Sequence, residues 1–109
     1  MLYVITTKRP GRYDYDPPPI RVESRRAVAT LEEARRMAWR TAEFGTWSSD
    51  AVTETLPESG GTVGPLPDGT VIEVEPASWD DLVGPGGWNA STSEAEVVDA
   101  YNAREARSR

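Results

Sequence analysis

Apolar and polar residues alternate along three stretches of this chain and recur with a helical period along two others. Leu2-Tyr3-Val4-Ile5-Thr6-Thr7 is dense in β-branched and aromatic side chains and predicts a strand over residues 2–7. Ile20-Arg21-Val22-Glu23 alternates apolar with charged, as a half-buried strand does, and the pattern extends over 20–28. Thr70-Val71-Ile72-Glu73-Val74-Glu75, entered through Asp68-Gly69, is the clearest strand, with Thr62–Leu66 a shorter extended piece before it. Pro10-Gly11 marks a turn, and Pro17-Pro18-Pro19 stiffens the chain as polyproline II. The first two strands therefore form an antiparallel pair with a long connection.

The helical period appears next. Thr30-Leu31-Glu32-Glu33 is a capping box, and the helix it opens runs over 31–44 to Gly45. Leu31, Ala34, Met37, Ala38, Ala42 and Phe44 share one arc of it. Glu32, Arg35, Arg36, Arg40 and Glu43 share the other, together with one large apolar residue, Trp39. Thr46–Leu56 reads either as a short helix capped by Asp50 and ended by Pro57, or as a strand. Ser78 caps a single turn, Trp79-Asp80-Asp81-Leu82, broken by Gly84-Pro85-Gly86-Gly87. A last helix over 93–105 starts at Thr92 or Ser93 with Glu96 in a capping box. Val97, Val98 and Tyr101 form its narrow stripe, with acids at its start and Arg104 and Arg107 near its end.

These elements predict one α+β domain spanning 1–109: a small, mainly antiparallel sheet of three to four strands with two main helices. Composition adjusts this picture. Only 38% of the 109 residues are hydrophobic, and nine glycines and nine prolines interrupt them, so the core should be thin and the loops long. At least two of Trp47, Trp79 and Trp88 are expected to plug that core.

Charge is segregated. The first forty residues carry about +4, residues 41–103 carry twelve acids and no lysine or arginine, and the last six carry +2, giving −6 in total. Such segregation folds into a dipolar surface or pairs across an interface.

The chain has no cysteine and no histidine. Thiolate chemistry is therefore excluded, and so are the commonest general base and the usual zinc ligands. No cofactor and no metal is expected. Met1–Ile5 is too short for a signal sequence, and nothing approaches a membrane span, so the expected compartment is the cytoplasm. Asp80 and Asp81, with Glu73 and Glu75, are the one acid cluster that could converge on a divalent cation, but alternation turns Glu73 and Glu75 to water. The glycine-rich turns lack the following Lys-Ser/Thr that a phosphate loop needs.

Three stretches carry a resemblance: Arg26–Ala34, Gly60–Val74 with its Gly-Gly-Thr-Val-Gly-Pro-Leu-Pro-Asp-Gly-Thr run, and Val98-Asp99-Ala100-Tyr101-Asn102. Together they resemble small accessory proteins encoded by actinobacteriophages, including mycobacteriophages. The similarity spans most of the chain from Ser24 onward. It implies an accessory role inside a bacterial host and no particular activity.

The residues expected to meet a partner are Trp39, Arg35, Arg36 and Arg40 on the outer face of the first helix, and Tyr13 and Tyr15 in the proline-rich connection. Tryptophan and arginine together are the usual material of binding hot spots. The competing reading places Trp39 beneath residues 46–56 or 79–88. The expected function is non-catalytic: binding a protein partner, from host or phage or a second copy of this chain, through a charge-polarised surface. The alternative is nucleic-acid related, either DNA mimicry by the acidic half or weak DNA binding through the arginines, which the twelve acids oppose. A small metal-dependent carboxylate enzyme ranks last.

Overall fold

The structure, a computed structural model, describes residues 1–11, 20–42 and 47–107. Strand β1 (Leu2–Pro10) is followed by β2 (Ile20–Val28), helix α1 (Leu31–Ala42) and helix α2 (Ser49–Thr55). Then come β3 (Gly61–Val63), β4 (Val71–Ala77), α3 (Trp79–Val83) and α4 (Glu94–Arg107). The four strands make one antiparallel sheet in the order β2-β1-β4-β3, giving the α+β fold that the patterning predicts.

Strand β1 is central, and its alternation divides the interior in two. Tyr3 and Ile5 face one side, where they join Val28, Ile72, Val74, the alanines of α1 and Val52 and Leu56 of α2. Leu2 faces the other side, where it meets Ala27, Leu82, Val97 and Tyr101 under α3 and α4. Helices α1 and α2 thus cover one face and α3 and α4 part of the other. A run such as Leu2-Tyr3-Val4-Ile5 is apolar throughout because both of its faces are covered.

Residues 49–55 are helical, settling the ambiguity of 46–56. The cap is Ser48, not Asp50: its hydroxyl accepts the Ala51 N–H at 3.1 Å. Val52 and Leu56, one turn apart, are both fully buried, which a helix achieves and a half-exposed strand would not. Pro57 follows. The turn after it is tied back to the sheet by the Tyr3 hydroxyl, which donates to the Glu58 carbonyl at 3.0 Å. Gly60 has φ +83°, and a side chain there would run into the Val74 carbonyl oxygen. The Thr30 and Ser93 hydroxyls accept the N–H groups of Glu33 and Glu96, as their capping motifs predict.

β1 and β2 pair from Tyr3–Val28 out to Pro10–Ile20, with a bulge between Thr7 and Lys8. β4 pairs with β1 only as far as Lys8. The outer part of the β1–β2 pair therefore projects beyond the sheet, braced by an ion pair between Arg9 and Glu23. β2 is also a terminal strand of the sheet. Its outer edge is capped at one point: the Asn102 side chain of α4 accepts the Ala27 N–H at 2.7 Å and donates to the Ala27 carbonyl at 3.1 Å. Asn102 thus supplies what a fifth strand would supply there.

Candidate functional site: a charge-polarised groove at the sheet edge

Helix α1 buries Ala34, Ala38 and Ala42 against the sheet. At 100° per residue, that choice fixes its flanks. Arg35 and Trp39 fall on the flank toward α2, and Arg36, Met37 and Arg40 fall toward or beside β2. The face expected to be a single contact surface is therefore divided.

On the α2 flank, the Arg35 Nε–H donates to the Leu56 carbonyl at 2.9 Å, closing the C-terminal end of α2. Trp39 is half-buried and packs against the first core, the one that holds Val52 and Leu56. Arg35 thus ties α1 to the end of α2, and Trp39 covers the core that the two helices share. On the other flank, Arg36 and Arg40 are exposed, and Arg36 pairs with Glu32 at 3.5 Å. Tyr13 and Tyr15 lie outside the described residues.

Arg36 and Arg40 border a groove that runs along the outer edge of β2 between α1 and α4. It consists of two adjoining hollows of about 370 Å³ each, which share Arg26, Met37 and Asn102. Arg26, Arg36 and Arg40 form one wall. Asp99 and Glu105 stand on the α4 wall, and Glu33 on the first turn of α1. Met37, Ala27 and Val98 supply apolar surface between them, and Arg25 extends the basic side toward the projecting strands. Cations on β2 and α1 thus stand across the groove from Asp99 and Glu105 on α4, with Glu33 on the basic side; of these carboxylates only Asp99 comes from the acidic stretch 41–103.

Asn102 and Met37 were not among the residues expected here. Met37 sits at the margin of α1's apolar arc, so periodicity assigns it to the core. Asn102 follows Tyr101 on the last helix, where periodicity marks the apolar stripe but gives no sign of an edge-capping amide.

The acid cluster lies elsewhere. Glu73, Glu75 and Asp81 line a cleft of about 530 Å³ on the opposite face of the sheet, with Lys8, Arg25 and Tyr101. Glu73 does not simply face water: its side chain is 31% exposed and pairs with Lys8 at 2.9 Å. Asp81 completes the capping box of α3 with Ser78, and the hydrogen bonds from Ser78 hold its carboxyl below the usual aspartate range. Burial, helped by neighbouring Glu105, pushes the Tyr101 phenol up. Among the described residues, no three such side chains are placed to hold a metal ion. Asp80 turns away from the cleft and accepts the Trp88 indole N–H at 2.7 Å.

Trp47 and Trp79 pack against the two cores as plugs, while Trp88 stays 42% exposed. No helix among the described residues is long and apolar enough to cross a membrane. No family model matches the chain, and no curated protein or solved structure matches it either.

Proposed function

We propose that this chain is a non-catalytic binding protein that holds a protein partner in the groove beside β2. One observation carries the reading. Three arginines, an apolar strip and two carboxylates of α4 line an edge of β2 that, among the described residues, no other strand covers. Arginine combines an apolar stem with a fork of donors, and a groove that offers both charges selects a partner by pattern instead of by net charge. The Asn102 cap blocks the edge at Ala27, so the partner lies over the groove and does not simply extend the sheet there. The resemblance to actinobacteriophage accessory proteins supports a partner found in the bacterial host cytoplasm, either a host protein or another phage protein.

The test is capture from an actinobacterial lysate with immobilised protein, comparing the native chain with an Arg36→Glu/Arg40→Glu variant. Both residues are exposed, so the fold should survive the change. The reading expects a protein retained by the native chain, lost with the variant, and unaffected by excess duplex DNA. Equal recovery by both forms would refute the groove. Release by DNA would favour a nucleic-acid role.

A further inference from the structure

A second site lies on α3, away from the groove. Trp79 and Trp88 stand with ring centroids 5.0 Å apart and planes at 77°, two indole walls meeting nearly at right angles. With Ser78 and Asp80 they line an open hollow of about 360 Å³. Trp79 is anchored by the second core, and Trp88 is held over it by the hydrogen bond from its indole N–H to Asp80. The loop that carries Trp88 is shaped for this. Gly84 and Gly86 have φ of +82° and +78°, and a side chain on Gly87 would run into the Val83 carbonyl oxygen. The edge-to-face contact and the Asp80 hydrogen bond fix Trp88 beside the hollow while leaving it 42% exposed.

The polar groups of the corner are already engaged. The Ser78 hydroxyl accepts the Asp81 N–H at 3.1 Å, the Ser78 N–H donates to the Asp81 carboxylate at 2.9 Å, and Asp80 accepts from Trp88. The two rings pack edge to face, so a ligand is offered the parts of the indoles left open to the hollow, together with the Asp80 carboxylate. Lysine ammonium and arginine guanidinium lose hydration that such a site replaces poorly. A quaternary ammonium makes no hydrogen bonds and is attracted by aromatic faces and by charge alone. We propose that the Trp79–Trp88–Asp80 corner binds a trimethylammonium group. Its carrier lacks an anion of its own, because the charged group that lines the corner is the Asp80 carboxylate, with Asp81 beside it on the same turn, and the two would oppose a phosphate. A trimethyllysine side chain fits that description and a phosphocholine headgroup does not.

The experiment follows the four indole N–H signals by NMR. The protein is titrated with N-acetyl-trimethyllysine amide, with phosphocholine, and with 3,3-dimethylbutan-1-ol, whose tert-butyl group is the neutral counterpart of trimethylammonium. The Trp79 and Trp88 signals should move with the trimethyllysine probe, while those of Trp39 and Trp47 stay fixed. The neutral alcohol should bind about fivefold or more weakly, the ratio expected of a modest cation–π attraction. Asp80→Asn keeps an acceptor for the indole and removes the charge. It should weaken the cation severalfold and leave the alcohol unchanged. Trp88→Ala should abolish both. Equal binding of alcohol and cation, or no movement of the Trp88 signal, would overturn the proposal. Tighter binding of phosphocholine than of trimethyllysine would overturn the assignment of the carrier.

Discussion

Replacing Asn102 by alanine removes both hydrogen bonds that close the outer edge of β2 at Ala27, of 2.7 and 3.1 Å. Each such bond contributes about 0.5–1.5 kcal/mol net, so the pair contributes ~1–3 kcal/mol. The upper part of that range applies, because Ala27 is 1% exposed and its peptide groups would be left in a place that water reaches poorly. We expect a loss of about 2–3 kcal/mol. In a domain of this size that lowers Tm by about 10 °C or more. Urea unfolding measures it directly: the midpoint should fall with the slope unchanged, since the surface exposed on unfolding is the same. Amide exchange supplies a local readout, because the Ala27 N–H should lose more protection than the β1–β4 ladder loses. A loss below ~0.5 kcal/mol, or an Ala27 amide no less protected than in the native chain, would refute the idea that Asn102 secures this edge. The same variant links fold to site, since Asn102 lines both hollows of the groove.

Three further outcomes are expected. Trp39→Ala should cost about 2–3 kcal/mol in urea unfolding, less than the ~3–5 of a fully buried tryptophan, because the ring is only half-covered; a loss under ~0.5 kcal/mol with weakened partner capture would instead make it a contact residue. Asp81 has a folded-state pKa held below its ordinary value of 3.8 by Ser78, so its contribution is complete above that value and is lost as pH falls through the lowered one. Thermal melts should therefore show Asp81→Ala converging on the native chain at the acid end; a gap that widens on acidification would contradict this. Lys8→Met should change stability by less than about 1 kcal/mol, since the Lys8–Glu73 pair is about one-third exposed on both sides; chemical denaturation showing a larger loss would mean the cleft around it is drier than its geometry implies.

The elements were legible where periodicity and caps agreed. Thr30 and Ser78 cap the helices the sequence assigns them, Ser93 rather than Thr92 caps the last one, and the alternation of β4 places Ile72 and Val74 inward. Two things were not legible. Strand alternation cannot say whether the second face of a sheet is open, and here α3 and α4 partly cover it, so Glu73 meets Lys8 in a cleft instead of open water. A helical wheel likewise separates inside from outside but does not show what lies beside a helix. The wheel alone turns Trp39 and Arg35 outward; the competing placement of Trp39 under another segment is the one that fits its half-burial against the first core, and Arg35 reaches the end of α2. Of the groove's arginines, Arg36 and Arg40 belong to the first-helix cluster that the sequence singles out, whereas Arg35 of that cluster turns to the Leu56 carbonyl and Arg26 joins from β2. Their facing partners, Asp99 and Glu105, are far away in sequence and meet them only because α4 crosses the edge of β2.

The most direct test of the groove as a partner surface is site-specific photocrosslinking. A benzophenone side chain is placed at Ala95, an exposed position on the α4 side of the groove, and in a second protein at Glu54, exposed on α2 away from it. After irradiation in actinobacterial lysate, the account predicts a discrete protein adduct from position 95 that Arg36→Glu/Arg40→Glu abolishes, and none from position 54. Adducts from position 54 with none from position 95 would contradict it.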